Sequence, residues 1–93
     1  MEKYSEAFEL LEKMVAIPST EGNEHDMGEL VYNYVTALGM KAHKQTVEGD
    51  RFNVIATAQI GNGAGKTVVL NSHMDVVPAA DGWDTDPWKL TVI

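Results

Sequence analysis

Tyr4, Ala7, Phe8, Leu11, Met14 and Val15 recur at spacings of three and four, which predicts a first helix with one apolar face. Pro18 ends it. After a turn begun by Ser19 and Thr20, the same period returns in Met27, Leu30, Val31, Tyr34, Val35 and Leu38, predicting a second helix. Asn23 is its expected cap, Glu24 and Asp26 suit the positive end of its dipole, and Gly39 is placed to stop it. Beyond Gly39 the period changes. Residues 40–47 and 52–60 read as strands around the turn Glu48-Gly49-Asp50-Arg51, residues 67–72 as a third after a Gly-rich turn, and residues 88–93 as a fourth. The expected fold is therefore α/β: two N-terminal helices packed on a small mixed sheet of three to four strands. Leu90, Val92 and Ile93 would leave the last strand as an exposed edge through which the chain can self-associate.

Composition narrows the partners. The chain has 93 residues, 44% apolar and 23% charged, as in ordinary globular domains, so it reads as one structural unit without disorder or repeats. At this length only about 60–68% of the unfolded surface is buried, so the margin of stability is thin. A formal charge of −7 and no basic cluster argue against nucleic acid and anionic membrane as partners. No run of about 18 apolar residues is present, and the charged start Met1-Glu2-Lys3-Tyr4-Ser5-Glu6 lacks a signal-peptide core, so a cytoplasmic location is expected. Without cysteine, any metal must be held by histidine and carboxylate.

The chemistry is concentrated in Thr67-Val68-Val69-Leu70-Asn71-Ser72-His73-Met74-Asp75-Val76-Val77-Pro78, an apolar run that ends in a His-x-Asp pair. On an extended chain, His73 and Asp75 point to one face and Met74 to the other. Both then sit just past an apolar strand, where open α/β sheets place their ligands. A carboxylate beside an imidazole fixes its tautomer and leaves the other nitrogen for a metal or a proton. Taken alone, such a pair is more often an ordinary hydrogen-bonded strand end than a site.

Its flanks change the weighting. Ser72-His73-Met74-Asp75-Val76-Val77-Pro78, followed by Asp81-Gly82-Trp83 and Asp86-Pro87-Trp88, resembles the M20 family of zinc aminoacylases and peptidases. That family includes acetylornithine deacetylase, succinyl-diaminopimelate desuccinylase, aminoacylase, carboxypeptidase G and related dipeptidases. Residues 10–19, with their Ile17-Pro18-Ser19 exit, look like the family's opening helix, and Asn53-Val54-Ile55-Ala56 like its second strand. The resemblance implies that residues 1–93 are the N-terminal part of a larger zinc-exopeptidase-like catalytic domain. It implies His73 as a zinc ligand and Asp75 as the carboxylate that orients it, in a two-zinc site where cobalt or manganese can substitute. The implied reaction is hydrolysis of the amide of an N-acylated amino acid or a dipeptide, by an intact protein that is a homodimer. The family's other ligands and its general-base glutamate have no counterpart up to Ile93. The chain by itself is therefore expected to be inactive and metal-free. The alternative is a non-catalytic acidic α/β interaction module that retains an enzyme-like scaffold.

Other features carry weaker chemistry. Gly61-Asn62-Gly63-Ala64-Gly65-Lys66-Thr67 ends like a phosphate loop, but Ile60 stands where that loop needs glycine, so a hairpin turn is expected. His25, between Glu24 and Asp26, lies at a helix start where neighbours diverge by about 100°, so a solvated position rather than a metal cluster is expected. His43, between Lys41 and Lys44, reads as surface. Asp81, Asp84 and Asp86 lack calcium-loop spacing and read as a turn capped at Asp86-Pro87, with Trp83 and Trp88 expected to pack.

Overall fold

A computed structural model describes residues 4–93; the charged start at residues 1–3 lies outside it. In chain order the elements are α1 (Ser5–Val15), α2 (His25–Ala37), β1 (Lys41–Glu48) and β2 (Arg51–Thr57). The two strands pair antiparallel, from Lys41 opposite Thr57 to Thr46 opposite Phe52, and an irregularity between Thr46 and Glu48 leaves Val47 outside the ladder. Gly49 opens the two-residue turn with a φ of 56°, a conformation that costs glycine little and an L side chain much more.

Both helix ends are explained by local chemistry. Gly39 stops α2 with a φ of 90°. Its N–H donates to the Thr36 carbonyl and that of Met40 to the Val35 carbonyl, the paired bonds of a Schellman motif. Leu38 is thereby the C-cap and is 59% exposed, so it does not join the buried stripe as its spacing suggests. At the other end the cap is Glu24, not Asn23, and no side chain caps the helix. Asn23 is taken up by the preceding turn, its Nδ2 donating to Thr20 Oγ1 and its backbone N–H to the Thr20 carbonyl.

The hairpin packs on α2. Phe52 lies against Gly28, where a Cβ would stand 2.7 Å from the ring, so the absent side chain is what lets strand and helix approach. Around that ring, His25 meets Phe52 edge-on at 5.6 Å between centroids. Lys44 Nζ lies 4.9 Å from the Phe52 centroid and 4.7 Å from that of Tyr32, and it pairs with Glu29. Arg51 grips Glu24 with two bonds, Nε to Oε1 at 3.1 Å and the Nη2 nitrogen to Oε2 at 2.8 Å. His25 is therefore not a freely solvated helix start, since its Nδ1 lies 2.8 Å from the Asp50 carbonyl oxygen in the hairpin turn.

Among the described residues Met27 is the apolar side chain that is buried outright, and α1 buries none. Helix α1 is tied to α2 by the Tyr34 hydroxyl, which donates to Glu6 Oε1 at 2.8 Å. The α/β class is as the sequence predicts, but the sheet has two strands rather than three or four. Residues 67–72 and 88–93 form no strand, and Val68, Val69 and Leu70 are 80–93% exposed. An apolar run becomes a strand only when a neighbour accepts its backbone hydrogen bonds, and no described segment lies alongside this one. The Gly-rich turn at 61–65 consequently closes no hairpin, and the edge expected at 88–93 does not form. The radius of gyration, 15.7 Å against about 12 Å for a compact chain of this length, reflects the open course of this half.

Two outcomes follow for stability. Gly28→Ala gains about 1 kcal/mol of helix propensity. It also overpacks Phe52, which costs about 1–3 kcal/mol. The variant should therefore be neutral to about 2 kcal/mol less stable, read as a lower urea midpoint at unchanged slope. In a Phe52→Leu background the same change should stabilise; if it destabilises both backgrounds equally, the Phe52 contact is not the reason for Gly28.

The second outcome is pH dependence. The bond from Arg51 holds the Glu24 carboxyl below its ordinary 4.5, and the bond from Lys44 does the same for Glu29. A carboxylate whose folded pKa is depressed stabilises the fold above its unfolded pKa and loses that contribution as pH falls through the folded one. Stability should thus drop on acidification below about pH 4.5, and Glu24→Gln with Glu29→Gln should flatten this limb in urea titrations run from pH 6 to pH 3.

Candidate functional site

The site begins at the exit of α1. Ala16 and Ile17 still donate their N–H groups back to the Glu12 and Met14 carbonyls, and Pro18 then removes the next donor and turns the chain out of the helix. Ser19 and Thr20 close the turn by donating to the Ile17 and Pro18 carbonyls at 2.8 and 2.9 Å. Ser19 is fully buried. Its Oγ donates to the Met74 carbonyl at 3.0 Å, and its own carbonyl accepts the Val76 N–H at 2.9 Å. Thr20 and Val76 thereby form a parallel bridge. One residue at the end of α1 holds the backbone on both sides of Asp75.

Between those two bonds sits the dyad. His73 Nδ1 lies 2.8 Å from the Asp75 carbonyl oxygen and 3.1 Å from Asp75 Oδ1. A carbonyl oxygen only accepts, so Nδ1 must carry the hydrogen, shared between the two oxygens. In the neutral ring Nε2 then presents its lone pair, and the His73 side chain is 82% exposed, with that nitrogen open to solvent. Sequence reasoning expects the carboxylate contact from strand alternation. The structure supplies it without a turn at residues 71–75 and adds the Asp75 carbonyl as the shorter partner.

The geometry fits one arm of a metal centre. An outward Nε2 with Nδ1–H held by a carboxylate and a carbonyl is how a ligating histidine is oriented. A zinc site takes at least three protein ligands, and the described residues contain no group of three histidine, aspartate or glutamate side chains able to share an ion. His73 Nε2 is thus available as a single donor, and among the described residues no complete centre surrounds it.

The remaining sequence candidates lie apart from this cluster. His25 belongs to the hairpin dock, and His43 is exposed on β1 opposite Ile55. Asp86 caps its turn as expected, Oδ1 accepting the Trp88 N–H at 2.9 Å. Trp88 is half-buried, but Trp83 is 59% exposed and does not pack as expected. Ser19 is the residue that the sequence did not single out for this site. Its only signal is its place after Ile17-Pro18, which shows a helix exit and says nothing of what the hydroxyl meets.

Comparison with known proteins brings the motif and its surroundings together. Over 80% of its length the chain is 35% identical to acetylornithine deacetylase of Pasteurella multocida, and over 88% it is 36% identical to a Cys-Gly metallodipeptidase of Schizosaccharomyces pombe. Over 70% it is 34% identical to a probable carboxypeptidase of Aspergillus clavatus. The chain is homologous to these hydrolases. All three relatives are of the kind that the Ser72 to Pro78 motif and its flanks resemble, so the motif and the similarity along most of the chain agree. No family model and no solved structure matches. The chain spans 15 to 21% of the length of these relatives. Among the described residues no helix is long and apolar enough to cross a membrane.

The clamp has a direct signature in amide exchange. The Val76 N–H, bonded to the buried Ser19, should exchange measurably slower than a free peptide, and the amides of Val68, Val69 and Leu70 should exchange at the free rate. Equal rates at the four positions would show that the bridge is not formed.

Proposed function

We propose that this chain supplies the first metal ligand of a metal-dependent amidohydrolase or peptidase, His73, and the group that orients it, Asp75. The observation that carries the reading is the double hold on His73 Nδ1, which leaves Nε2 as the outward donor. The similarity to a deacetylase, a metallodipeptidase and a carboxypeptidase supports amide hydrolysis as the reaction class, on an N-acylated amino acid or a small peptide. In this reading residues 1–93 are the N-terminal part of an M20-type catalytic domain working in the cytoplasm as a homodimer. Zinc, two ions in the complete site, would polarise the scissile carbonyl and lower the pKa of a bound water. The work of this chain is to present Nε2 in one tautomer and one direction.

A second reading, a non-catalytic interaction module, draws on the absence of a three-ligand group among the described residues. One assay separates the two. The polypeptide from the complete reading frame, loaded with zinc or cobalt, should hydrolyse at least one of N-acetylornithine, succinyl-diaminopimelate, other N-acyl amino acids and dipeptides, and a chelator should abolish the activity. Asp75→Asn should lower activity about tenfold, the small end of the usual range for a group behind a ligand, because the backbone carbonyl still holds Nδ1. His73→Ala should lose considerably more. Activity untouched by His73→Ala, or no hydrolysis across the panel, overturns the proposal. Stoichiometric zinc retained by the 93-residue chain after dialysis would contradict its status as a partial site.

A further inference from the structure

We infer that Ser19 is the positioning residue of the His73-Asp75 dyad: its buried hydroxyl and carbonyl lock residues 74 and 76, and this lock selects the Nδ1–H tautomer of His73. The significance of that tautomer rests on the proposed function, whereas the lock itself is a property of the folded chain. Both hydrogen-bond donors of Ser19 are engaged, and so is its carbonyl. The N–H goes to Ile17, Oγ to the Met74 carbonyl, and the carbonyl receives the Val76 N–H.

Burial makes those bonds decisive. A hydroxyl with no exposed surface that lost its acceptor would be left unsatisfied at a cost, so Ser19 has strong reason to keep Met74 in place. The dyad has no comparable hold of its own, because His73 is 82% exposed and Asp75 47% exposed and they hydrogen-bond to each other. The Asp75 carbonyl can meet His73 Nδ1 only while the peptides on either side of Asp75 keep their orientation. Ser19 fixes one group in each of them, the Met74 carbonyl and the Val76 N–H. Its hydroxyl is aimed at a carbonyl and shut away from solvent, which removes it as a nucleophile and leaves positioning as its role.

The tautomer of His73 is the readout, because a purely structural defect would not move it selectively. Long-range nitrogen–proton NMR on the 93-residue chain at about pH 8.5, where imidazoles are neutral, reports the protonated ring nitrogen of His25, His43 and His73 separately. In the unsubstituted chain His73 should show the Nδ1–H pattern. Ser19→Ala should shift its tautomer ratio toward Nε2–H by roughly fivefold, the size of one ordinary hydrogen bond, with His25 and His43 unmoved. Ser19→Thr, which keeps the hydroxyl, should restore the ratio, and Gly28→Ala, a change at the other dock, should leave it alone. Should Ser19→Ala unfold the chain, all three histidines move together, and Ser19→Cys decides: its weak S–H donor should give an intermediate shift at His73 only. An Nε2–H pattern in the unsubstituted chain, or a His73 ratio indifferent to a folded Ala or Cys variant, overturns the inference. Because no metal or substrate enters the measurement, failure of the hydrolase reading would leave this result standing, and the reverse also holds.

Discussion

The contact on which this structure depends is the Phe52 ring lying on the bare backbone of Gly28. A two-stranded hairpin is marginal alone in water and needs an apolar surface to rest on. Helix α2 offers one where a missing side chain lets the strand come close. Phe52 is half-buried, so the contact is worth part of the about 1.5–3 kcal/mol of a fully buried phenylalanine. Of the ion pairs around it, Lys44 with Glu29 is partly solvated and contributes little net stability, while the bidentate pair of Arg51 with Glu24 is more covered. Their value is directional. Arg51 precedes Phe52 on β2, so its two bonds to Glu24 allow one placement of the hairpin along α2, and the bond between His25 and the Asp50 carbonyl repeats the constraint at the turn.

A second constraint joins the halves of the chain. The described contacts of residues 74 and 76 run to the turn after α1 and not to the hairpin, through two bonds that span more than fifty residues of sequence. The hairpin dock and the Ser19 clamp are joined through the two helices. The dock fixes α2, the bond between Tyr34 and Glu6 ties α1 to it, and the exit of α1 places Ser19. Orientation passes from the hydrophobic contact at Gly28 to the imidazole along a line of ordinary hydrogen bonds.

What the sequence disclosed follows the range of the forces involved. Both helices and the hairpin were legible because their determinants are local: apolar residues at helical spacing, Gly39 at a helix end, Gly49 in a two-residue turn. The dyad was legible for a similar reason, since His73 and Asp75 are two residues apart and reach each other within that short span. Residues 67–72 were misread because an apolar, β-branched run shows that a segment suits a strand and not that a partner stands beside it. Asn23 was misread as a cap because the competing acceptor, Thr20 Oγ1, is chosen by the fold of the loop. Ser19 could not be singled out at all, since its meaning lies in a carbonyl 55 residues away.

Two acceptors on one ring nitrogen are not redundant. The Asp75 carboxylate sits on a side chain that can rotate, and at 3.1 Å it is the longer of the two contacts. The Asp75 carbonyl, at 2.8 Å, belongs to the backbone, has no proton to offer and does not rotate independently of its peptide. The carbonyl therefore fixes which nitrogen of His73 bears hydrogen, and the carboxylate adds negative charge behind the ring, raising the electron density available at Nε2. Sequence points to the carboxylate because a side chain can be read from a motif. The stiffer partner is a peptide group that every residue possesses, and only the fold, through Ser19, turns it toward the imidazole.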